Sequence, residues 1–168
     1  MAMSMYAASV PLFRQMLGAL SSVLDKGATF AAEKGIAPAT LLEARLAPDM
    51  FPLVRQVQIA SDMAKGAAAR LAGLDAPKYP DEERSFSDLT ARIARTLGFL
   101  ETLRAQQIDG SEEREIVLPS RDTQLRFTGE SYLRSFVIPN FIFHCTTAYA
   151  ILRHNGAPLG KRDFLGAK

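Results

Sequence analysis

Apolar residues recur at spacings of three and four through four long stretches of this chain. That spacing belongs to amphipathic helices packed side by side, and it narrows the fold to a helical bundle. The first stretch runs from about Ser9 to Lys26, with Val10, Phe13, Leu17, Leu20 and Leu24 on one face. Pro11 falls in its first turn, where a missing N–H costs nothing. Either Gly27 ends this helix, or it continues to Glu33 and stops before Gly35. The second stretch starts at Pro52 and ends near Gly73. Leu53, Val54, Val57, Ala60, Ala64, Ala67, Ala68 and Leu71 form its apolar face, and the alanines let a neighbouring helix come close. Arg55, Gln58, Asp62 and Lys65 lie on the opposite arc, while Gln56 and Ser61 flank the apolar face. The third stretch, Phe86 to Arg104, opens on Ser85 and Asp88, a capping box with Asp in place of Glu. Its seam is Phe86, Leu89, Ile93, Leu97 and Leu100. The fourth begins after Thr128, a favourable N-cap, and ends at Asn155–Gly156.

The connecting segments are short of helical periodicity. In 36–52, Pro38 starts a helical turn through Leu42, and Pro48 and Pro52 forbid a longer helix. Glu115–Pro119 and Gln124–Thr128 alternate as two short strands joined by a turn over 120–123, with Pro119 confined to an edge or end position. The expected architecture is therefore all-α: one domain over 1–168, a four-helix bundle with a small β-hairpin between helices three and four.

The fourth helix carries both histidines and the only cysteine. At 3.6 residues per turn, Leu133, Val137, Asn140, His144, Ala148 and Ile151 share a face that is otherwise apolar. Asn140 and His144 are thus expected to point into the core as a pair. An unpaired buried polar group costs about 1–3 kcal/mol, so either another helix satisfies the pair or the pair lines a site. Pro139, in the middle of this helix, removes one backbone hydrogen bond. It should kink the helix, or break it at a cost of ~3 kcal/mol, and open room beside the pair.

Several chemistries lack their parts. No Gly-x-Ser-x-Gly elbow and no phosphate-binding Gly-rich loop occur. His144 and Cys145 are adjacent and do not face each other on a helix, which leaves Cys145 as a small packed residue. His144 and His154 stand about 15 Å apart along a straight helix and cannot clasp one ion. Asp62 is the one acid in the body of helix two, on the arc away from the core, so a metal site is short of the three ligands it needs. Arg45 and Asp49 bracket the proline-rich connection, and Arg55, Lys161, Arg162 and Asp163 add charge near helix ends. These read either as a salt-bridged surface or as a connection and C-terminal tail that close one end of the bundle over a pocket. The net charge is +2, with Lys and Arg spread along the chain rather than in a stripe, which speaks against a nucleic-acid partner. One cysteine forms no internal disulfide and suits a reducing compartment. Arg14 interrupts the first apolar run, and no stretch approaches roughly 18 uninterrupted apolar residues. The expectation is a cytoplasmic protein without a membrane partner.

The segments Met5–Pro11, Ala44–Gln58, Pro139–His144 and Ile151–Asp163 resemble the DinB/YfiT-like superfamily, and within it one uncharacterised bacterial branch. The resemblance spans nearly the whole chain and implies a four-helix bundle that forms homodimers. Metal-binding members use one histidine from helix two and two, four residues apart, from helix four. His144 resembles the first of that pair, but Ala148 stands four residues later and helix two has no histidine. Gln56, Gln58 or Asp62 would stand near the vacated position, and amides are poor ligands for zinc or nickel. No cofactor is expected, with zinc or nickel as the alternative. The candidate pocket residues are His144, Asn140, Gln56, Gln58, Ser61, Asp62, Arg45 and Asp49. Three functions follow: binding a small organic molecule at a degenerate metal site, a metal-dependent enzyme of thiol-transferase type using His144, or a non-catalytic dimeric interaction protein.

Overall fold

The structure, a computed structural model, describes residues 3–120 and 123–166. Its helices are α1 (Met5–Lys34), α2 (Pro38–Leu42), α3 (Leu53–Ala72), α4 (Phe86–Thr102) and α5 (Ala105–Ile108). Strands β1 (Glu115–Pro119) and β2 (Gln124–Thr128) follow. Then come α6 (Gly129–Ser131), a π-helical segment (Tyr132–Val137), α7 (Ile138–His154) and α8 (Lys161–Leu165). The fold is a four-helix bundle in which α1 and α3 each pack against both α4 and α7. The hairpin sits between the third and fourth long helices.

Helix α1 is longer than its apolar seam suggests. Ser4 caps it, its Oγ accepting from Ala7 N at 3.3 Å, and Asp109 Oδ1 accepts from Tyr6 N at 2.8 Å. A carboxylate from another part of the chain thus satisfies a first-turn donor, which moves the start from Ser9 to Met5. Pro11 consequently lies inside the helix rather than in its first turn. Of the two candidate glycines, Gly35 is the cap, at φ 64° with its N–H on Ala31 and Ala32 carbonyls. Gly27 continues the helix because it is a contact point: a Cβ there would lie 3.0 Å from Leu152 Cδ1.

Helix α3 begins as expected, with Pro52 at the N-cap position and Gly73 (φ 71°) at the C-cap. Its alanines Ala60, Ala64, Ala67, Ala68 and Ala69 are all fully buried, which lets α4 and α7 approach closely on either side. Helix α4 is capped by Ser85 Oγ, which accepts from Asp88 N at 3.1 Å, while the Asp88 carboxylate turns back to Arg84 N at 2.9 Å. It stops at Thr102, two residues before the expected end, and α5 follows. The hairpin is antiparallel with Glu115 opposite Thr128 and Pro119 opposite Gln124. Ile116 and Leu118 turn inward. Pro119 closes β1, and two residues of the expected turn, Arg121 and Asp122, lie outside the described residues.

The fourth long helix is neither broken nor simply kinked at Pro139. The preceding turn, Tyr132–Val137, is wound as a π-helix, and α7 restarts at Ile138. Pro139 therefore occupies the first turn of a new α-helical run, where its missing N–H costs little. Gly129–His154 is long and apolar enough by composition to cross a membrane. Here it is a bundle helix whose Phe141, Cys145, Ala148, Ile151 and Leu152 are buried in the core.

Candidate functional site

Gln56 on α3 and His144 on α7 meet where these two helices pack. Their side chains are 1% and 8% exposed. His144 Nδ1 and Gln56 Oε1 are 2.7 Å apart, and Gln56 Nε2 donates to the Phe51 carbonyl at 3.0 Å. A carbonyl can only accept, so Phe51 fixes the amide with its nitrogen outward and its oxygen toward the ring. Nδ1 must then carry the proton and donate. In the neutral ring Nε2 is left with a lone pair, and it has no hydrogen-bond partner among the described residues. Burial, reinforced by the charge of Arg55, holds the imidazole pKa below its ordinary 6.5. His144 is therefore neutral at pH 7, an Nδ1–H tautomer with a basic nitrogen to offer.

That nitrogen belongs to a ring lining an open pocket of about 230 Å³, with Asp49, Met50, Phe51, Gln56 and Phe143. Phe51 and Phe143 are each 54% exposed, and Phe143 meets the imidazole edge-on at 5.2 Å between centroids. Arg45 Nη1 donates to the Met50 carbonyl at 2.6 Å. It braces the loop that carries Asp49, Met50 and Phe51 but does not line the pocket. The proline-rich connection does form one rim of this pocket. The C-terminal tail does not: Asp163 pairs with Lys26 at 2.6 Å and the Leu165 carbonyl accepts from Gln15, both on α1.

The expected pairing of Asn140 with His144 is not formed. Asn140 is half-buried and its Nδ2 donates to Phe136 O at 2.6 Å, on its own helix. A short amide reaches a carbonyl four residues back on its own helix more easily than a neighbouring helix. Ser61 is also elsewhere, sharing a 2.7 Å hydrogen bond with Thr96 between α3 and α4. His154 is exposed in the last turn of α7 and does not line this pocket.

The arc of α3 assigned to solvent is largely covered. The connection between α3 and α4 folds over it, so Gln58 and Lys65 are only 5% and 7% exposed. Gln58 Nε2 donates to Glu83 at 2.8 Å and Lys65 Nζ lies 4.9 Å above the Tyr79 ring. The centre of this cover is Arg92 of α4, 2% exposed, which the apolar seam gave no reason to place inside. It donates to Asp62 at 2.8 Å, Glu83 at 2.9 Å and the Pro80 carbonyl at 3.1 Å, with Asp81 at 3.1 Å. Glu83 is pushed up by burial, but bonds from Arg92 and Gln58 outweigh this and hold its pKa below 4.5. Asp62, also bonded by Lys65 at 2.8 Å, belongs to this ion cluster and not to the His144 pocket.

Residues 5–165 match the family model of a domain of unknown function (DUF1993). The chain belongs to the DUF1993 family. A crystal structure of a DinB family member from Shewanella denitrificans is similar at 42% identity and a TM-score of 0.91, covering 97% of this chain and 92% of that one. No curated protein matches. The fold is thus DinB-like, as the sequence motifs implied.

The donor set at His144 does not fit a metal of the kind metal-binding members of that superfamily hold. Ala148 is buried four residues on and contributes no donor. Gln56 faces Nδ1 rather than a shared ion, and among the described residues no group of three or more His, Cys, Asp or Glu converges. One imidazole nitrogen and the Asp49 carboxylate on the rim fall short of a tetrahedral set.

Proposed function

We propose that this DUF1993 protein binds a small organic molecule in the pocket beside His144, at a degenerate form of the superfamily's metal position. One observation carries the reading: a neutral imidazole, fixed by Gln56 and Phe51 and left with an unpartnered Nε2 among the described residues, lines a pocket of about 230 Å³. A nitrogen in that setting accepts a hydrogen bond or takes a proton. It favours a ligand with a hydroxyl, amide N–H or other weakly acidic donor. Phe51, Phe143 and Met50 supply apolar contact for the rest of the ligand. The volume is below the ~300–1,000 Å³ of pockets for drug-sized ligands, which favours a compact molecule. Asp49 on the rim disfavours anions.

Fragment screening by NMR tests this. Donor-bearing aromatic or aliphatic fragments are expected to shift the His144 ring resonances, and His144→Ala should abolish their binding while the fold persists. Fragments that bind without moving His144, or bind the variant equally, overturn the reading.

A second reading, an interaction protein working through its surface, draws on the same exposed Phe51 and Phe143. Light scattering after size exclusion separates the two: a dimer that Phe51→Ser and Phe143→Ser convert to monomer supports it, and a monomeric wild type refutes it. A metal-dependent thiol transferase gains no support from the donor set. Stoichiometric zinc or nickel in untagged protein would revive it.

A further inference from the structure

We propose that the notch between α3, β1 and the π-helical segment is a second binding site, for a small organic carboxylate held by Arg70 and Tyr132. Gly66 lies in the interior of α3, where glycine is a poor helix former. A Cβ at this position would lie 2.7 Å from Arg70 Nη1. The missing side chain is therefore the space through which the Arg70 guanidinium folds back along the helix. Long helical side chains lean this way. From there Nη1 donates to Tyr132 Oη at 3.1 Å.

Tyr132 is 1% exposed. Burial raises its pKa above 10.0 and outweighs the opposing charge of Arg70, so the phenol keeps its proton. Its oxygen accepts from Arg70, but its O–H meets no acceptor among the described residues. A buried phenol normally finds such a partner. The Arg70 guanidinium likewise has no carboxylate partner among the described residues. Exposed Arg70 and buried Tyr132 thus present two donors at one cavity, with no protein acceptor for them among the described residues, an arrangement a carboxylate completes with charge-assisted hydrogen bonds.

The space to hold that group is present. Both residues line a cavity of about 290 Å³ whose other walls include Met63, Leu118, Pro119 and Phe136. These apolar walls favour a carboxylate with a hydrocarbon or aryl body over a bare inorganic anion. The π-helical winding sets Tyr132 and Phe136 as a stacked pair, 5.9 Å between centroids at 19°. Such segments concentrate at functional sites. Asp62, also on the wall, carries the opposing charge, but its Oδ1 is held by Lys65 and Arg92, each at 2.8 Å. The site shares helix α3 with the His144 pocket but no lining residue.

The test uses benzoate as probe, titrated into the full chain and followed by calorimetry and by the Arg70 side-chain N–H signals in NMR. Benzoate should move the Arg70 and Tyr132 resonances, and benzamide, its neutral counterpart, should not. Arg70→Met should weaken benzoate at least about tenfold, and Tyr132→Phe should weaken it severalfold. Gly66→Ala is the discriminating variant. It pushes only the far end of a flexible side chain, so it should keep or raise the melting temperature while weakening benzoate. Benzoate binding unchanged by Arg70→Met, or no Arg70 shift at saturating salt-matched concentration, overturns the proposal. Inorganic phosphate binding in preference to benzoate overturns the organic-carboxylate assignment.

Discussion

Replacing Gln56 with leucine removes the group that orients His144 while keeping the volume of a fully buried side chain. Two polar atoms lose their partner: the Nδ1–H of His144 and the carbonyl of Phe51. Phe51 is 54% exposed, so water takes over at its carbonyl at little cost. His144 is 8% exposed and its Nδ1 faces the helix interface, so that donor stays unsatisfied at about 1–3 kcal/mol. The new methyl groups recover under 1 kcal/mol of apolar burial. The net loss is about 1–2 kcal/mol, which lowers the melting temperature by roughly 2–8 °C in a chain of this size. Gln56→Glu changes the sign of a second observable. A carboxylate against Nδ1 favours the imidazolium, so the His144 pKa should rise from below 6.5 to above it. Urea unfolding at pH 7.5 and NMR titration of His144 read the two effects. The reasoning fails if Gln56→Leu stays within about 0.5 kcal/mol of wild type, the range of an uninvolved surface position. It also fails if Gln56→Glu leaves the His144 pKa depressed.

Acid should weaken the fold in two steps. The depressed His144 pKa means the unfolded chain binds more protons, so stability falls as pH drops below 6.5 and levels off below the folded pKa; His144→Ala should remove that step. The second step belongs to Glu83, whose lowered pKa gives stability above 4.5 that is lost as pH falls through the folded value, and Glu83→Gln should flatten it. Arg92→Met should cost about 3 kcal/mol, mostly from Glu83, whose side chain is 11% exposed while Asp62 and Asp81 are 39% and 43% exposed and recover water. Limited proteolysis should then cut the uncovered 74–85 connection; equal resistance would deny Arg92 this role. Gly129→Ala should be among the most damaging small changes, by about 2–3 kcal/mol in urea unfolding, because the added Cβ overlaps the Ser111 carbonyl oxygen and must displace backbone.

The helices were legible because burial follows the 3.6-residue period, and the inward turn of His144 was legible for the same reason. Gln56 read as flanking the apolar face, which put it within reach of α7. What failed to show was set by the coil and by polar reach. Gln58 and Lys65 are covered by the 74–85 connection, whose path no periodicity records. Arg92 sits at a core position, where a guanidinium survives only because three carboxylates gather from elsewhere, and a hydrophobic pattern cannot announce that. Asn140 was expected in the core beside His144, but it is only half-buried and its amide bonds Phe136 O on its own helix. Pro139 predicted a disruption; the chain absorbs it by winding the preceding turn as a π-helix. Gly66, the clue to Arg70, looks like any weak spot in a helix until the guanidinium lying in its place is seen.

Gln56 fixes His144 as a neutral Nδ1–H ring with an unpartnered Nε2 beside the pocket. Long-range ¹H–¹⁵N correlation spectra of the His144 ring at pH 7 measure this directly. The expected spectrum shows a protonated Nδ1 and a bare, pyridine-type Nε2, with Nε2 moving when a pocket ligand is added. A charged ring, or a proton on Nε2 with Nδ1 bare, would contradict it.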